Sequence, residues 1–412
     1  FYTKYKFKTR TMIKSVFAKA IRGNYASSFK YSTFSAKDLE ITLTAEPKKK
    51  PAFDNNLKFG EASTDHMLEI VWNKEGGWGK PKITPFRNLE IHPFNTTLHY
   101  ALSCFEGMKA YKDANKGTRL FRPDKNCERL QSSFTRLAFP QFDTAELQEC
   151  IKQLVRVERD WVPEKDGFSL YIRPFGMSLT DKLGVRPADS VLLLVCCSPV
   201  GPYYPSGFKP IKLYVNEEHI RAAYGGSGHY KLGANYGPTV DISADAERKG
   251  YSQVLWITNG LVTEVGTSNF MVRWINEKGQ DEVVTPPLDG LILPGVTRDS
   301  ILTLLRAKPD IKVSERNFTI EELVKAASEK RVIEAFGCGT AAVVSPIKGL
   351  YFRGKEYTIP INEKVNAGDL TFELNKELQD IQYGRKPHPW SISVDDVAVR
   401  AGYGMRKAYS TQ

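Results

Sequence analysis

The order of apolar and polar positions predicts a mixed α/β chain from about residue 57 onward. Strands are predicted where apolar residues alternate or run together, as in HMLEIVWN (66–73), SLYIRPF (169–175) and SVLLLVCCSPV (190–200). The last stretch is apolar at nearly every position, so we expect a strand that is buried on both faces. LHYALSCFEGMKAYK (98–112) is predicted to form strands with a connecting loop.

A helix is predicted over residues 143–162. Within it, apolar residues recur at helical spacing: Leu147, Ile151, Leu154 and Val155. Asp143 and Glu146 stand three positions apart at its start, which predicts a capping box.

The second half of the chain alternates more densely between strands and helices. Asn259 and Gly260 separate two apolar runs and predict a hairpin with a type I′ turn. Thr319 and Glu322 predict a second capping box. Further strands are predicted in IKLYVN (211–216), FMVRWIN (270–276), DEVVTP (281–286) and RVIEAFGCGTAAVVSPI (331–347). Further helices are predicted in PTVDISADAERKG (238–250), PGVTRDSILTLLR (294–306), TIEELVKAA (319–327) and GDLTFELNKELQDIQ (368–382).

Residues 201–210, GPYYPSGFKP, interrupt this pattern with glycine and proline. We place a domain boundary there. The predicted organisation is a basic presequence and linker (1–45), a small α/β domain (46–200), an interdomain connection (201–210) and a large α/β domain (211–412).

Positive charge is concentrated at the start of the chain. The net charge of +11 would suit nucleic acid, but residues 1–37 hold nine of the 58 basic residues and no acidic one. Residues 38–412 contain the other 49 basic residues and all 47 acidic ones, so this part of the chain has a net charge of about +2. No nucleic-acid partner is therefore predicted. An acid-free, hydroxyl-rich start is typical of a mitochondrial presequence and predicts the mitochondrial matrix. A disordered basic tail is the alternative.

The sequence predicts neither a membrane-spanning helix nor a metal site. Its longest apolar run, VLLLVCC (191–197), is far shorter than the roughly 20 residues of a membrane helix. The six cysteines show neither a Cys-x-x-Cys pair nor a zinc-type spacing with histidine. We therefore expect reduced thiols, no metal and no membrane span.

The stretch YGGSGHYKLGANYGP (224–238) surrounds Lys231 with glycines. Tyr230 and Leu232 flank it where a Walker loop needs Gly-Lys-Ser/Thr, and Lys231 occupies the third glycine position of a dinucleotide loop. A solvated lysine on a flexible loop is the simplest interpretation. A lysine becomes an imine-forming nucleophile when burial or a nearby cation lowers its pKa from about 10.4.

Imine chemistry on a cofactor needs an anchor for an anionic group, a carboxylate for a ring nitrogen, a phenol, and donors for the substrate carboxylate. The chain offers Glu264 and Thr267 after the predicted hairpin, and Thr340 in a turn of small residues. Val296 and Thr297 stand at a predicted helix start, where free N–H groups favour a phosphate. Each element alone is typical of an ordinary strand, turn or helix; their combination suggests a site.

In this combination the chain resembles the branched-chain amino acid aminotransferases, pyridoxal-phosphate enzymes of fold type IV. The matching stretches are LHYALSCFEGMKAY, LFRPDKN, HYKLGANYGP, TEVGTSN, TPPLDGLILPGVTR, FGCGTAAVVSP and DIQYGR. The match as a whole runs from about residue 57 to about residue 390. The resemblance implies two mixed α/β domains with an interdomain loop, pyridoxal 5'-phosphate as cofactor, and a homodimer. It also implies ping-pong transfer of the amino group between leucine, isoleucine or valine and 2-oxoglutarate.

The resemblance implies a cofactor role for nine residues: Lys231, Arg129, Arg221, Tyr236, Glu264, Thr267, Val296, Thr297 and Thr340. Lys231 matches the catalytic lysine that binds the cofactor covalently and carries the proton. Glu264 matches the carboxylate at the pyridine nitrogen, and Tyr236 the phenol beside the cofactor oxygen O3′. A third group matches the phosphate site: Arg129, Arg221, Val296, Thr297 and Thr340.

For the substrate, the resemblance implies a pocket formed by Tyr100, Phe105, Tyr171, Arg173, Tyr203, Thr267, Ala341 and Ala342, with Val185 supplied by the partner subunit. The aromatic rings would hold an aliphatic side chain, and Arg173 with Tyr100 the γ-carboxylate of glutamate. Thr267 and the 341–342 backbone would bind the α-carboxylate. Some family members carry a Cys-x-x-Cys pair where this chain has Ala342 and Ser345, so thiol regulation is not expected at that position.

Three alternatives follow from the same residues. D-amino acid aminotransferases and aminodeoxychorismate lyases share the fold type, but the extended N-terminal part and the FEGMKAY stretch argue against both. A non-catalytic binding protein that retains the fold is the alternative outside the enzymes. The presence of all the groups that imine chemistry needs argues against it.

Overall fold

The computed structural model describes residues 33–54, 56–202 and 208–396, to which every structural statement below refers. Its α-helices are α1 (Thr96–Tyr100), α2 (Pro123–Arg136), α3 (Thr144–Val157), α4 (Val240–Arg248), α5 (Val296–Arg306), α6 (Ile320–Ser328) and α7 (Asp369–Gln382). Short 3₁₀ turns lie at Ala36–Asp38, Arg159–Trp161, Gly233–Asn235 and Gly237–Thr239. The helices of this part of the chain are all too short or too polar to cross a membrane.

The strands of the first half form one sheet. They are β1 (Glu40–Ile41), β2 (His66–Asn73), β3 (Gly77–Trp78), β4 (Lys82–Pro85), β5 (Ser103–Phe105), β6 (Met108–Lys112), β7 (Thr118–Phe121), β8 (Ser169–Ser178) and β9 (Ser190–Val200). The order along this first sheet is β1-β4-β2-β9-β8-β6-β7, with β3 against β2 and β5 against β8. As predicted, β9 is buried on both faces over most of its length.

The second sheet contains β10 (Ile211–Asn216), β11 (Gln253–Thr258), β12 (Leu261–Val265), β13 (Ser268–Ile275), β14 (Asp281–Thr285), β15 (Lys312–Glu315), β16 (Val332–Gly339), β17 (Val343–Phe352) and β18 (Lys355–Thr358). The order β12-β11-β10-β17-β16-β13 returns on itself, because β12 also pairs with β13. Six strands therefore form a closed ring. The predicted Asn-Gly hairpin is present between β11 and β12, with positive φ at Asn259 and Gly260. The mixed α/β prediction is confirmed.

Buried apolar residues also join the two sheets. Tyr111 and Phe121 of the first sheet share a cluster with Met271 and Phe336 of the second sheet and with helices α5 and α7. A last strand, β19 (Ser391–Ser393), pairs with β7 of the first sheet. The predicted large domain (211–412) thus includes a strand of the other sheet, and the division into domains stays a prediction.

Residues 33–45 pack against the first sheet, although they fall within the predicted presequence and linker. Phe34 is 3% exposed and its ring lies 5.3 Å from that of Trp78. Strand β1 pairs with β4. The predicted presequence itself, through residue 32, lies outside the described residues.

Two local predictions need correction. Residues 96–100 form helix α1 rather than a strand, because Asn95 caps it by accepting from the Thr97 N–H. At helix α3, Asp143 caps the N-terminus as predicted, but Glu146 accepts from the N–H of Ala36 instead of completing the box. The capping box of Thr319 and Glu322 at α6 is confirmed.

Candidate active site

A cavity of about 350 Å³ is lined by residues of both sheets. It brings together most of the residues predicted from the sequence. Those that line it are Phe105, Arg129, Tyr171, Arg173, Lys231, Tyr236, Glu264, Thr267, Val296, Thr297, Thr340, Ala341 and Ala342.

The glycines around Lys231 allow close approach of neighbouring chain segments. A Cβ at Gly228 would lie 2.3 Å from the Cβ of Ala222, and one at Gly233 would lie 2.6 Å from the Oγ of Ser103. Asn235 stiffens the loop, because its side-chain amide donates to the carbonyls of Ser227 and Tyr230. Gly228 and Gly233 therefore allow close packing of the backbone around Lys231.

The backbone of Lys231 is fixed from two directions. Its N–H donates to the Ser133 Oγ on helix α2 at 3.1 Å, and its carbonyl accepts from the Phe105 N–H at 3.0 Å. The Nζ lies 3.0 Å from the Tyr236 hydroxyl and 4.9 Å from the centre of the Phe105 ring. The amine is held against two aromatic rings beside a phenol, as an imine-forming lysine requires.

Glu264 is a buried carboxylate at the end of β12. One of its oxygens accepts from the Leu293 N–H at 2.8 Å and from the Asn269 side-chain amide at 3.1 Å. The other oxygen pairs with the Arg221 Nε at 2.7 Å. Burial raises the pKa of Glu264, while Arg221 acts in the opposite direction. The ion pair therefore favours an ionised carboxylate inside the protein.

Arg129 is held rigidly on helix α2. Its guanidinium donates two bonds to the Glu106 carboxylate, at 2.6 and 2.9 Å, and a third to the Pro294 carbonyl. Glu106 is fully buried and also accepts from Asn126. Burial alone would lower the pKa of Arg129, but Glu106 leaves it above its usual range. Arg129 also lines the cavity, where a guanidinium is a suitable donor for an anion.

The start of helix α5 closes the same end of the cavity. Gly295 is its N-cap and provides no side-chain cap, while Val296 and Thr297 line the cavity. A Cβ at Gly295 would lie 2.0 Å from the Asn269 Oδ1, so glycine is required for this approach. Uncapped N–H groups at a helix start attract phosphate.

The turn between β16 and β17 forms another part of the wall. Thr340, Ala341 and Ala342 line the cavity, and the next residue, Val343, has φ of 60°. This left-handed conformation is unfavourable for a β-branched residue. Strain of this kind is common where a backbone is shaped for a ligand.

Arg173 projects into the cavity with aromatic neighbours. Its guanidinium lies 4.7 Å from the centre of the Phe105 ring and 5.1 Å from that of Tyr171, and it donates to the Tyr171 hydroxyl. The buried Nε has no hydrogen-bond partner in the described structure, and no described acidic side chain forms an ion pair with Arg173. A cation with a spare donor beside apolar rings can accept either an aliphatic chain or a carboxylate.

Of the predicted residues that the structure describes, Arg221, Tyr100 and Val185 do not line this cavity. Arg221 lies behind Glu264, with its other donors on the carbonyls of Leu291 and Gly228. Tyr100 accepts from the Gly184 N–H, next to Val185, which is 83% exposed. Tyr203 falls outside the described residues.

Other residues of the site were not assigned from the sequence. Glu106 and Ser133 act through Arg129 and Lys231, and only the folded chain brings these pairs together. Phe59 packs its ring 4.8 Å from that of Tyr171. Cys338 lines the cavity, but burial raises the pKa of its thiol to about 12, so it is not a thiolate at neutral pH.

Comparison with known proteins identifies the family. The model of the class IV amino-transferases matches residues 103–350. A branched-chain-amino-acid aminotransferase of Dictyostelium discoideum is 49% identical over 370 residues, which cover 89% of this chain and 98% of that protein. The chain belongs to the branched-chain-amino-acid aminotransferases of class IV. It is therefore an enzyme, an aminotransferase.

Other aminotransferases of the family agree in sequence and fold. A mitochondrial member from Schizosaccharomyces pombe is 49% identical, covering 86% of this chain and 84% of that protein. Further relatives are named mitochondrial, from cattle and rat, and cytosolic, from mouse and sheep. A branched-chain amino acid aminotransferase from Thermobaculum terrenum, solved in its PLP form, superimposes with a TM-score of 0.65 at 22% identity, covering 81% of this chain and 99% of that one. The fold type IV prediction is confirmed.

Proposed function

We propose that this aminotransferase moves the amino group between branched-chain L-amino acids and 2-oxoglutarate, with pyridoxal 5'-phosphate as its cofactor. One observation carries the proposal: Lys231, Tyr236, Glu264, Arg129 and the start of helix α5 line one cavity. A lysine, a phenol, a buried carboxylate and an anion site are the groups that this cofactor requires of a protein.

The residues fit the cofactor by their charge and by their placement around one cavity. Arg129 and the N–H groups at Val296 and Thr297 would hold its phosphate, with Thr340 nearby. Glu264, paired with Arg221, would hold a proton on its ring nitrogen. When bound, pyridoxal phosphate supplies an electron sink for the substrate carbon that loses its proton.

Lys231 would provide both the attachment point of the cofactor and the group that transfers the proton. Its amine would hold the cofactor covalently and, when free, would take the proton from the substrate Cα and hold it for the second half of the proton transfer. Tyr236, whose hydroxyl accepts from the Lys231 amine at 3.0 Å, would position that amine and donate to the cofactor oxygen. Thr267 and the 341–342 backbone would bind the α-carboxylate.

Phe105, Tyr171 and Arg173 support recognition of two unlike substrates. The rings would enclose an aliphatic side chain, and the spare donor of Arg173 would bind the γ-carboxylate of glutamate or 2-oxoglutarate. A site with an unpaired buried donor favours the ligand that satisfies it.

Arg173→Met should therefore impair the two substrates differently. We expect kcat/KM for 2-oxoglutarate to fall about 100-fold, as for loss of a charged hydrogen bond, and that for leucine to fall less than about fivefold. Steady-state kinetics with each substrate varied in turn measure both values. Equal losses for the two would contradict this role of Arg173.

A homodimer is part of the proposal. Phe94, Leu98, Leu183 and Val185 are apolar residues with 47–83% exposure, and the bond between Tyr100 and Gly184 links the two segments that carry them. We call these segments, 94–100 and 183–185, the 94/183 surface. Exposed apolar residues grouped in this way favour association, and the surface would bring Tyr100 and Val185 to the partner's cavity.

Val185→Asp tests this surface. A carboxylate in an apolar contact should weaken the dimer about 100-fold or more and raise KM for leucine. Analytical ultracentrifugation across a concentration series measures the first effect. Leu288→Asp, at another exposed apolar residue, is the matched control; a Val185→Asp protein that dimerises like wild type would exclude the surface.

The mitochondrial matrix is the location we propose, on the basis of the basic, acid-free residues 1–37. Relatives of the chain occur both in mitochondria and in the cytosol. A fluorescent protein that carries residues 1–37 should enter mitochondria, and the same fusion with Lys4, Lys6, Lys8 and Arg10 changed to glutamate should not. Diffuse fluorescence from the unchanged fusion would contradict the proposal.

The proposed activity is tested by a coupled assay of the purified holoenzyme with L-leucine and 2-oxoglutarate. We expect turnover of leucine, isoleucine and valine, and none with D-alanine or aminodeoxychorismate. Turnover of either of the last two without leucine activity would favour one of the related fold type IV enzymes instead.

A further inference from the structure

Lys109 is a buried cation for which the proposed mechanism has no use. It lies on β6 with 7% of its surface exposed, and its Nζ donates to the Ala341 carbonyl at 2.7 Å. Among the described residues no carboxylate lies within ion-pair distance of this amine. Lysine is rarely buried without an acidic partner, because desolvation of the ammonium is costly.

The strand register places Lys109 on the cavity side of the first sheet. Lys109 stands opposite Tyr171 of β8, and directly opposite residues share a face of a sheet. Tyr171 lines the cavity, as does Gly107, which immediately precedes β6 and stands two residues before Lys109. The ammonium therefore reaches from the first sheet to the turn at Ala341, which belongs to the second.

We propose that Lys109 is a specificity-determining residue that supplies the positive charge behind the α-carboxylate site. This inference rests on the proposed function, in which the 341–342 backbone binds that carboxylate. The backbone offers only partial charges, whereas an ammonium bonded to the Ala341 carbonyl adds a full charge with no acid to cancel it. In a site of low dielectric such a charge attracts a carboxylate strongly.

Arg173 and Lys109 then divide the recognition of substrate. Both lie on the cavity side of the first sheet, Arg173 two residues along β8 from Tyr171 and Lys109 opposite that tyrosine. Arg173 serves the side-chain carboxylate that only glutamate and 2-oxoglutarate possess. Lys109 serves the α-carboxylate that every substrate possesses, so its loss should affect leucine and 2-oxoglutarate alike.

The charge of Lys109 should also depend on pH within the working range of an enzyme. Burial lowers the pKa of Lys109 to about 8, so the ammonium is present below this pH and is lost above it. The titratable or charged groups that line the cavity are Arg129, Tyr171, Arg173, Lys231, Tyr236, Glu264 and Cys338. These groups are present in the wild type and in the Lys109 variants. The difference between their two pH profiles of ligand affinity therefore reports the titration of Lys109.

Three substitutions separate charge from packing. Lys109→Gln keeps a donor for the Ala341 carbonyl but removes the charge, Lys109→Met removes both, and Lys109→Arg keeps both. Lys112→Met, on the same strand but on its opposite face, is the matched control. The probe is 4-methylpentanoate, a carboxylate with a leucine-like chain and no amine, titrated into each holoenzyme.

Lys109→Gln and Lys109→Met should each weaken 4-methylpentanoate binding about tenfold at pH 7, with KM for leucine and 2-oxoglutarate raised by similar factors and kcat changed less than about threefold. Lys109→Arg and Lys112→Met should bind like wild type. Between pH 7 and pH 9 the affinity of the wild type for 4-methylpentanoate should fall to that of the Lys109→Gln variant. The affinity of the variant should not show this fall, because it has no ammonium at position 109.

Wild-type affinity in the Lys109→Gln variant would overturn the proposal and leave Lys109 with the hydrogen bond alone. A loss confined to 2-oxoglutarate would also overturn it, because the α-carboxylate is common to both substrates. If wild type binds 4-methylpentanoate through Lys109 but does not turn over leucine, the proposed function fails while the carboxylate site stands.

Discussion

Replacement of Lys231 by alanine is expected to abolish transamination, with kcat reduced at least about 10⁴-fold, because its amine is both the attachment point and the proton carrier. No other described lysine lines the cavity. Lys231→Arg should be equally inactive, since a guanidinium keeps the charge but neither forms the imine nor carries the proton at neutral pH. The coupled assay with leucine and 2-oxoglutarate measures both variants.

Lys212→Ala provides the control for Lys231. Lys212 lies on β10 and pairs at the surface with Glu356, so its loss should leave kcat within about twofold of wild type, as for most exposed ion pairs. Addition of a small primary amine, which can replace a missing lysine as proton carrier, should partly restore Lys231→Ala. If Lys231→Ala, without added amine, turned over leucine as fast as Lys212→Ala does, Lys231 would not be the catalytic lysine.

Glu264→Ala is expected to leave the cofactor bound through Arg129, helix α5 and Lys231 while slowing removal of the substrate Cα proton about 100-fold. The physical reason is that a buried anion favours a proton on the facing ring nitrogen. The isotope effect on kcat, measured with leucine deuterated at Cα, reports the rate of this proton removal. A larger isotope effect on kcat, with unchanged cofactor content, is the expected result.

Arg221→Met provides an independent test of the same charge. Burial raises the pKa of Glu264 and Arg221 opposes that rise, so removal of the guanidinium should raise this pKa further, favour the protonated carboxyl and slow the same step. Glu264→Gln, which mimics the protonated carboxyl, should behave like Arg221→Met. A normal rate of proton removal in all three variants would remove the electron-sink role of Glu264.

The fold was predictable where periodicity and turn chemistry agree. The apolar run of β9, the Asn259–Gly260 turn and the Thr319–Glu322 capping box each depend on neighbours in sequence. Other features depend on distant contacts. Helix α1 was misread because its apolar residues also suit a strand, and the pairing of β19 with β7 joins residues some 270 positions apart.

Much of the candidate site was also predictable, because the resemblance fixes residues within short motifs. Lys231, Glu264 and Arg129 lie far apart in sequence yet line one cavity. The supports of these residues were not predictable. Ser133 meets Lys231, Glu106 meets Arg129 and Lys109 meets Ala341 only in the folded chain. The resemblance placed Arg221 at the cofactor site. The ion pair between Arg221 and Glu264 could not be predicted, because it depends on the folded arrangement of the two residues.

Borohydride reduction of the holoenzyme, followed by peptide mass spectrometry, tests the central claim most directly. The account predicts loss of the visible absorbance of the cofactor and a single peptide that contains Lys231 with a phosphopyridoxyl group on its Nζ. A modification on any other lysine, or an unmodified chain that keeps its activity, would contradict it.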